Sequence, residues 1–104
     1  METLATLECI AVEKDGRRFP LKASIGRPYQ SGTDPETWAC PVRIDPLHTH
    51  VRDIAGGDSF QALCLASRMA IELLRGFVQR GGKLVHDDGG EVSLDSYLPL
   101  ARAK

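Results

Sequence analysis

One long stretch of the chain carries apolar residues at the spacing of an α-helix. Between residues 59 and 80 they recur every three or four positions, which places them along one side of a helix. This predicted buried stripe consists of Phe60, Leu63, Ser67, Ala70, Ile71, Leu74, Phe77 and Val78. Asp58 can cap the first turn, Gln61 completes a capping box, and Gly81-Gly82 provides a left-handed stop. The pattern predicts one long helix with core-forming apolar side chains.

Strict alternation of apolar and polar residues predicts a β-hairpin around Asp15-Gly16. Residues 18–25 place four apolar side chains on one face: Phe19, Leu21, Ala23 and Ile25. Residues 4–14 precede the turn and form the partner strand. Asp-Gly is a preferred pair for two-residue type I′ turns, which join antiparallel strands. We therefore expect these two segments to pair.

The register of this hairpin depends on the length of its turn. Two alternating sets compete for the buried face of the first strand: Leu7, Cys9 and Ala11, or Ile10 and Val12. A two-residue turn sets Ile10 opposite Leu21 and Val12 opposite Phe19. It also pairs Glu13 with Arg18 on the outer face. We therefore expect Ile10 and Val12 to be buried and Cys9 to lie on the outer face.

The remaining segments predict a loop and several short strands. Residues 26–36 are rich in turn formers and have no period, so a loop is predicted there. Residues 37–45 alternate, with Trp38, Cys40, Val42 and Ile44 on one face, and Pro41 marks an edge or a bulge. Further short strands are predicted at 48–52 and in a hairpin formed by 83–86 and 91–94, with Val85 facing Val92. The tail from Asp95 is predicted to pack apolar side chains without regular structure and to fray at its end.

Together these elements predict an α+β fold, with an antiparallel sheet of about four to six strands and one long helix packed across one face. The chain has 104 residues, 42% apolar and 26% charged, which suits one globular domain over residues 1–104. Its formal net charge is −1 with interspersed signs, so we expect neither nucleic acid nor a membrane surface as a partner. Three cysteines at unrelated positions predict reduced thiols and a cytoplasmic location.

Residues with possible catalytic or metal chemistry all have a structural explanation in the sequence. Cys40, His48 and His50 suggest zinc, but their spacing fits no standard structural site, which needs four paired ligands. Cys64 is predicted beside the buried stripe, not at an exposed helix N-terminus where a thiolate is stabilised. Asp87-Asp88 lacks the spacing of a calcium loop and suits a turn. We expect no catalytic residue, no metal and no cofactor.

Four residues are the sequence's candidates for a binding surface. Trp, Tyr and Arg are enriched among the residues that dominate the energy of protein interfaces. Arg27 and Tyr29 fall in the predicted loop, and Trp38 and Arg43 fall in the strand that follows. Trp38 also alternates with Val42 and suits the core, so the two interpretations of Trp38 remain open.

Two stretches resemble a family of small bacterial domains of unknown function. They are Trp38-Ala39-Cys40-Pro41-Val42-Arg43-Ile44, a W-x-C strand, and the stretch from Gly57 to Ala66, which resembles the helix start G-x-DS-x-QAL-x-LA of that family. An I-G-x-P turn, here Ile25-Gly26-Arg27-Pro28, often precedes them in that family. The resemblance covers roughly residues 19–78 and implies no catalytic residue. Small domains of this kind are similar in size and general architecture to immunity proteins that neutralise toxins. This similarity is an analogy only.

The sequence thus predicts a non-enzymatic protein-interaction module, immunity-protein-like, that binds a protein partner through residues 26–36 or a sheet face. The alternative is a small ligand-binding or hydrolytic domain with a pocket near Trp38, His48 and His50. A third possibility is a homodimer built through an open edge strand, so monomer and homodimer both remain open.

Overall fold

The computed structural model describes residues 1–97, and the predicted packing and fraying of residues 98–104 lie outside this part of the chain. In chain order the elements are β1 (Thr3–Val12), β2 (Arg18–Gly26), β3 (Tyr29–Thr33), β4 (Glu36–Cys40), β5 (Val42–Asp45), β6 (Ile54–Gly56), α1 (Ser59–Gln79), β7 (Lys83–Val85) and a 3₁₀ turn (Leu94–Ser96). All strand pairs are antiparallel, and α1 packs on the strands. The predicted α+β class is confirmed.

The strands form two sheets instead of one. One sheet has the order β5-β2-β1-β7 and the other has the order β3-β4-β6. The segment predicted as one strand over 37–45 passes from one sheet to the other at Pro41, between Cys40 and Val42. Pro41 has no N–H to donate to a ladder, which is why the strand breaks there.

The predicted register of the β1–β2 hairpin is wrong by one residue. Ala11 lies opposite Phe19 and Cys9 lies opposite Leu21. Consequently Cys9 and Ala11 are buried, and Ile10 and Val12 lie on the other face of the sheet.

The cause of this difference is the turn, which has three residues and not two. The Glu13 N–H donates to the Arg17 carbonyl, and the Gly16 N–H donates to the Glu13 carbonyl, both at 2.7 Å. Gly16 has φ +93°, so the turn ends in a left-handed glycine, as in three-residue hairpin loops with a bulge. The added residue moves the pairing by one position, and Glu13 forms its ion pair with Arg17 and not with Arg18.

Helix α1 has the predicted length but is rotated about its axis relative to the predicted stripe. Its buried residues are Ala62, Ala66, Ala70, Ile71, Leu74 and Phe77. Phe60 and Val78, predicted to be buried, are exposed, and 75% of Phe60 is accessible. Three alanines face the sheets because small side chains allow the strand backbone to approach, most closely at Gly56.

Both ends of α1 are capped nearly as predicted. The Asp58 carboxylate accepts from the Gln61 N–H at 2.7 Å. The Gln61 side chain accepts from the N–H of Gly57 at 2.6 Å and not from the N–H of Asp58, which a capping box would use. At the other end Gly81 has φ +101°, and the Gly82 N–H donates to the Phe77 carbonyl, as in a Schellman motif.

Three other local predictions are wrong. Residues 26–36 are not a loop, since β3 and β4 form a hairpin there. The short strand lies at Ile54–Gly56 and not at 48–52, and it pairs with β4. In the last hairpin Val85 is bridged to Glu91 and not to Val92.

In residues 1–97 no helix is both long and apolar enough to span a bilayer.

Candidate functional site

The predicted contact residues Arg27 and Tyr29 lie at the start of the β3–β4 hairpin. The Arg27 N–H donates to the Glu2 carbonyl at 2.8 Å, and its guanidinium lies 3.7 Å from the Glu2 carboxylate. The Tyr29 hydroxyl donates to Asp53 at 2.5 Å, and this hydrogen bond raises the pKa of Tyr29. Both side chains are exposed, but each is already held by an acidic neighbour.

Trp38 and Arg43 do not join them in one surface. Trp38 is half-buried and lies opposite Gly56 in the β4–β6 register, on the sheet face that meets α1. Tyr29 is opposite Ala39 and therefore points to the other face. Arg43 belongs to the other sheet, where it pairs with Asp45 at 3.1 Å. The four side chains are thus spread over different faces and sheets.

The two histidines line a shallow hollow formed by their own loop. Its walls are Leu47, His48, Thr49, His50 and Val51, without Trp38, Cys40 or Asp58. Across the described part of the chain, no three His, Cys, Asp or Glu side chains lie close enough together to hold a metal ion. Among residues 1–97, His48 and His50 therefore do not come together with Trp38, Cys40 or Asp58 to form a pocket.

The cysteines are distributed differently from the prediction. Cys9 is buried by the register of the hairpin, and burial raises the pKa of its thiol. Cys40 is fully buried, donates to the Gly26 carbonyl at 3.3 Å, and has a pKa raised by burial and secondarily by the charge of Asp53. Cys64 is exposed, because the rotation of α1 turns its side of the helix outward together with Phe60.

A surface that the sequence did not locate lies along strand β1. Strand β2 pairs with β1 from Thr3 to Val12, whereas β7 pairs only with Ile10–Val12. Within residues 1–97 no strand lies beside Thr3–Cys9 on the side away from β2. We call this unpaired side of Thr3–Cys9 the open edge.

The backbone groups of Thr6 and Glu8 point toward the open edge. At the turn, Glu13 directs its N–H and its carbonyl toward the β2 side, where its N–H donates to Arg17. The direction of these groups alternates along an antiparallel strand, so from Ala5 to Val12 the odd-numbered residues face β2 and the even-numbered residues face away. The bulge between Thr3 and Ala5 interrupts this alternation at the start of β1. The pairing of β7 with Ile10–Val12 agrees with this alternation. Two N–H and two carbonyl groups of β1 are thus available to another strand.

An apolar groove runs beside the open edge, between β1 and α1. Its volume is about 260 Å³, and its lining includes Ala5, Leu7 and Ile25 from the strands, Ser67 and Ile71 from the helix, and Tyr97. Tyr97 is 45% exposed. The groove lies on the sheet face that carries the core, so alternate side chains of an added strand would enter it.

The open edge lacks most of the features that protect edge strands. Proteins usually block such edges with lysine, proline or inward-pointing charges. The stretch from Thr3 to Leu7 has neither charge nor proline, although a bulge lies between Thr3 and Ala5. The carboxylates at either side of it have basic neighbours, since Glu2 pairs with Arg27 and Glu8 lies opposite Lys22. The open edge is therefore uncharged from Thr3 to Leu7.

Residues 1–97 form an antiparallel α+β domain in which one side of Thr3–Cys9 pairs with no strand of this part of the chain and lies beside an apolar groove. The chain belongs to the family described as Domain of unknown function (DUF6968), whose model matches residues 9–95. The resemblance to a domain-of-unknown-function family is thereby confirmed, and bacterial origin stays a prediction. Searches of curated proteins and of solved structures found no match.

Proposed function

We propose that this protein is a non-enzymatic protein-interaction module that binds an extended segment of another polypeptide along the open edge of β1. The observation that carries the proposal is the pair of outward-facing backbone positions, Thr6 and Glu8, beside an apolar groove. In strand addition the main-chain hydrogen bonds supply affinity, and pockets for alternate side chains supply specificity. Both requirements are met at the same place on this surface.

The chemistry of the preferred ligand follows from the groove. A strand that pairs with β1 directs every second side chain toward the core face, where Leu7, Ile71 and Tyr97 lie. Aliphatic side chains at two-residue spacing suit this lining. The opposite face of the same strand would meet solvent, so polar residues are expected between them. The expected ligand is an extended segment with apolar residues at alternate positions.

This proposal places the contact surface at the open edge of β1 and not at residues 26–36. The role left for Arg27 is indirect, since it holds the start of β1 through the Glu2 carbonyl and carboxylate. Tyr29, Trp38 and Arg43 take no part in the open edge. The toxin-neutralising role suggested by immunity proteins and the cytoplasmic location stay predictions.

A peptide selection with a backbone-blocking variant tests the proposal. A random library of ten-residue peptides would be selected against the full chain at low protein concentration and then measured against Thr6→Pro. Proline removes the outward N–H of Thr6 but no donor to β2, so the fold should be kept. We expect selected peptides with alternating apolar residues whose binding falls at least tenfold on Thr6→Pro.

The matched control is Thr6→Val, which keeps the backbone N–H and a similar side-chain shape. It should bind the same peptides within a factor of two, and circular dichroism should show the same fold for all three proteins. If no peptide is enriched, or if the enriched peptides bind Thr6→Pro as well as the natural chain, the open edge is not a binding site and the proposal fails.

A further inference from the structure

We infer that the segment bound at the open edge is β1 of a second copy of this chain, in a two-fold dimer centred on Thr6. This inference rests on the proposed function, because it names the partner of the same edge. Antiparallel pairing of two β1 strands would join the two four-stranded sheets into one continuous sheet. Such an interface is self-complementary, as closed two-fold dimers require.

The length of the open edge is the first argument for a second copy. Strand β7 ends at Val85, opposite Ile10, so an added strand can pair only with the residues from Cys9 back to Thr3. In a dimer centred on Thr6, residues 4–8 of one copy pair with residues 8–4 of the other. The added strand of five residues then fits within the seven residues from Thr3 to Cys9, and it ends before Ile10, which already pairs with Val85.

The direction of the backbone groups is the second argument. Thr6 and Glu8 both point outward, so a two-fold axis beside Thr6 makes the two Thr6 residues a hydrogen-bonded pair. Each Thr6 N–H would then donate to the Thr6 carbonyl of the other copy. Glu8 of one copy would lie opposite Leu4 of the other, at the β-bulge where the alternation is interrupted. At Thr6 the donors and acceptors match without any change in the β1–β2 ladder.

The side chains and charges agree with the same register. Ala5 of each copy would lie opposite Leu7 of the other on the groove side, and the two Thr6 side chains would meet on the outer side. Apolar pairs and threonine pairs are favourable across antiparallel strands. Centring the axis on Ala5 instead would set Glu8 opposite Glu2, a like-charge pair. The Thr6 register places no two carboxylates opposite each other.

The dimer also covers apolar surface that a monomer leaves in water. Leu4 is half exposed in β1 and Tyr97 is 45% exposed at the groove. Leu7 of the second copy would reach toward the groove beside Ala5, where Ile25 and Ile71 lie. The stretch from Thr3 to Leu7 carries no charge, so the central parts of two identical edges can approach without like-charge contact.

The mass of the protein in solution is the first test. Light scattering after size exclusion should give about 23 kDa for the full chain, twice its 11.4 kDa. Thr6→Pro should give the monomer mass with unchanged circular dichroism, and Thr6→Val should stay dimeric. A monomer at millimolar concentration, or a dimer that Thr6→Pro does not dissociate, overturns the inference.

Engineered cross-linking tests the register. In a Cys64→Ser background, Thr6→Cys should form an intermolecular disulfide under mild oxidation, because facing residues of antiparallel strands lie within disulfide reach. Glu8→Cys is the matched control. Position 8 of one copy lies opposite position 4 of the other, so the two copies of position 8 would be four residues, about 13 Å, apart along the strands. Cross-linking through Glu8→Cys and not through Thr6→Cys would overturn the Thr6 register.

The failures of the two proposals are distinguishable. A monomeric chain that still binds the selected peptides, with loss on Thr6→Pro, overturns the dimer and leaves strand addition intact. A monomeric chain that binds no peptide at the open edge overturns both.

Discussion

Gly56 lies directly against the backbone of Ala62. A methyl group at Gly56 would come within 2.6 Å of the Ala62 nitrogen and 2.9 Å of its Cα. These atoms belong to the first turns of α1, which cannot yield as a flexible side chain can. The contact therefore sets how closely β6 approaches the helix, and it joins the β3-β4-β6 sheet to the remainder of the core.

The close contact predicts that Gly56→Ala destabilises the fold. Overpacking of this kind costs about 1–3 kcal/mol. Urea unfolding followed by circular dichroism measures the loss. Gly57→Ala is the matched control, because the added methyl group would be 3.4 Å from the Gln61 side-chain oxygen, an ordinary contact. Equal unfolding midpoints for the two variants would show that the helix can shift away from β6.

The rotation of α1 predicts unequal costs for two apolar truncations. Leu74 is 1% exposed and belongs to the core, so Leu74→Ala should lower the free energy of unfolding by about 2–5 kcal/mol. Phe60 is 75% exposed, so Phe60→Ala should change it by less than about 0.5 kcal/mol. Both values come from denaturant unfolding. A large cost at Phe60 would mean that the monomer fold buries this side chain.

The cap at Asp58 predicts a moderate loss of stability when its oxygen is removed. The carboxylate accepts from the Gln61 N–H, and Asp58→Ala would leave that donor to water. The expected cost is about 1 kcal/mol. Asp58→Asn keeps an acceptor in the same place and should recover most of the loss. If Asp58→Asn and Asp58→Ala melt at the same temperature, the hydrogen bond contributes nothing to stability.

The burial of the cysteines predicts one reactive thiol among three. Cys64 is exposed, whereas Cys9 and Cys40 are buried with raised pKa values, so neither accessibility nor thiolate content favours their reaction. Labelling with a chromogenic disulfide under native conditions should give one fast thiol and two slow ones. Cys64→Ser should abolish the fast phase. A fast phase that persists in this variant would place another thiol at the surface.

The same pKa shifts predict a loss of stability at alkaline pH. In the folded state the thiols of Cys9 and Cys40 hold their protons to higher pH than in the unfolded chain. The stability that this difference contributes is fully present below the ordinary thiol pKa and is lost as pH rises through the raised folded values. A melting curve series from neutral to alkaline pH measures the decline. The Cys9→Ala and Cys40→Ala double variant should show a shallower decline than the natural chain.

Local patterns in the sequence determined the long helix and its ends. The helix depends on the three- and four-residue spacing, the cap at Asp58 and the stop at Gly81, which all act within a few residues of chain. The structure contains the predicted helix, its N-terminal cap and its glycine stop. The irregularity at Pro41 was also predicted from its missing backbone donor, although as an edge or a bulge and not as a passage between two sheets. These features need no knowledge of distant contacts.

The orientation of those elements was decided by tertiary structure. The apolar spacing allowed several rotations of α1, and the contact with β6 favours the one that presents the alanines. Likewise the turn at Asp15-Gly16 admitted two lengths, and the longer one reversed which residues of β1 are buried. Because side chains alternate strictly along a strand, a change of one residue inverts both faces.

The candidate site depended on tertiary structure almost entirely. The sequence allowed an open edge strand, but it could not say which strand, because edges are defined by which distant segments fail to pair. Only the short length of β7, which ends opposite Ile10, leaves Thr6 and Glu8 unpaired within the described chain. Periodicity along the chain determines what each segment becomes, whereas non-local pairing determines which backbone groups remain available to bind.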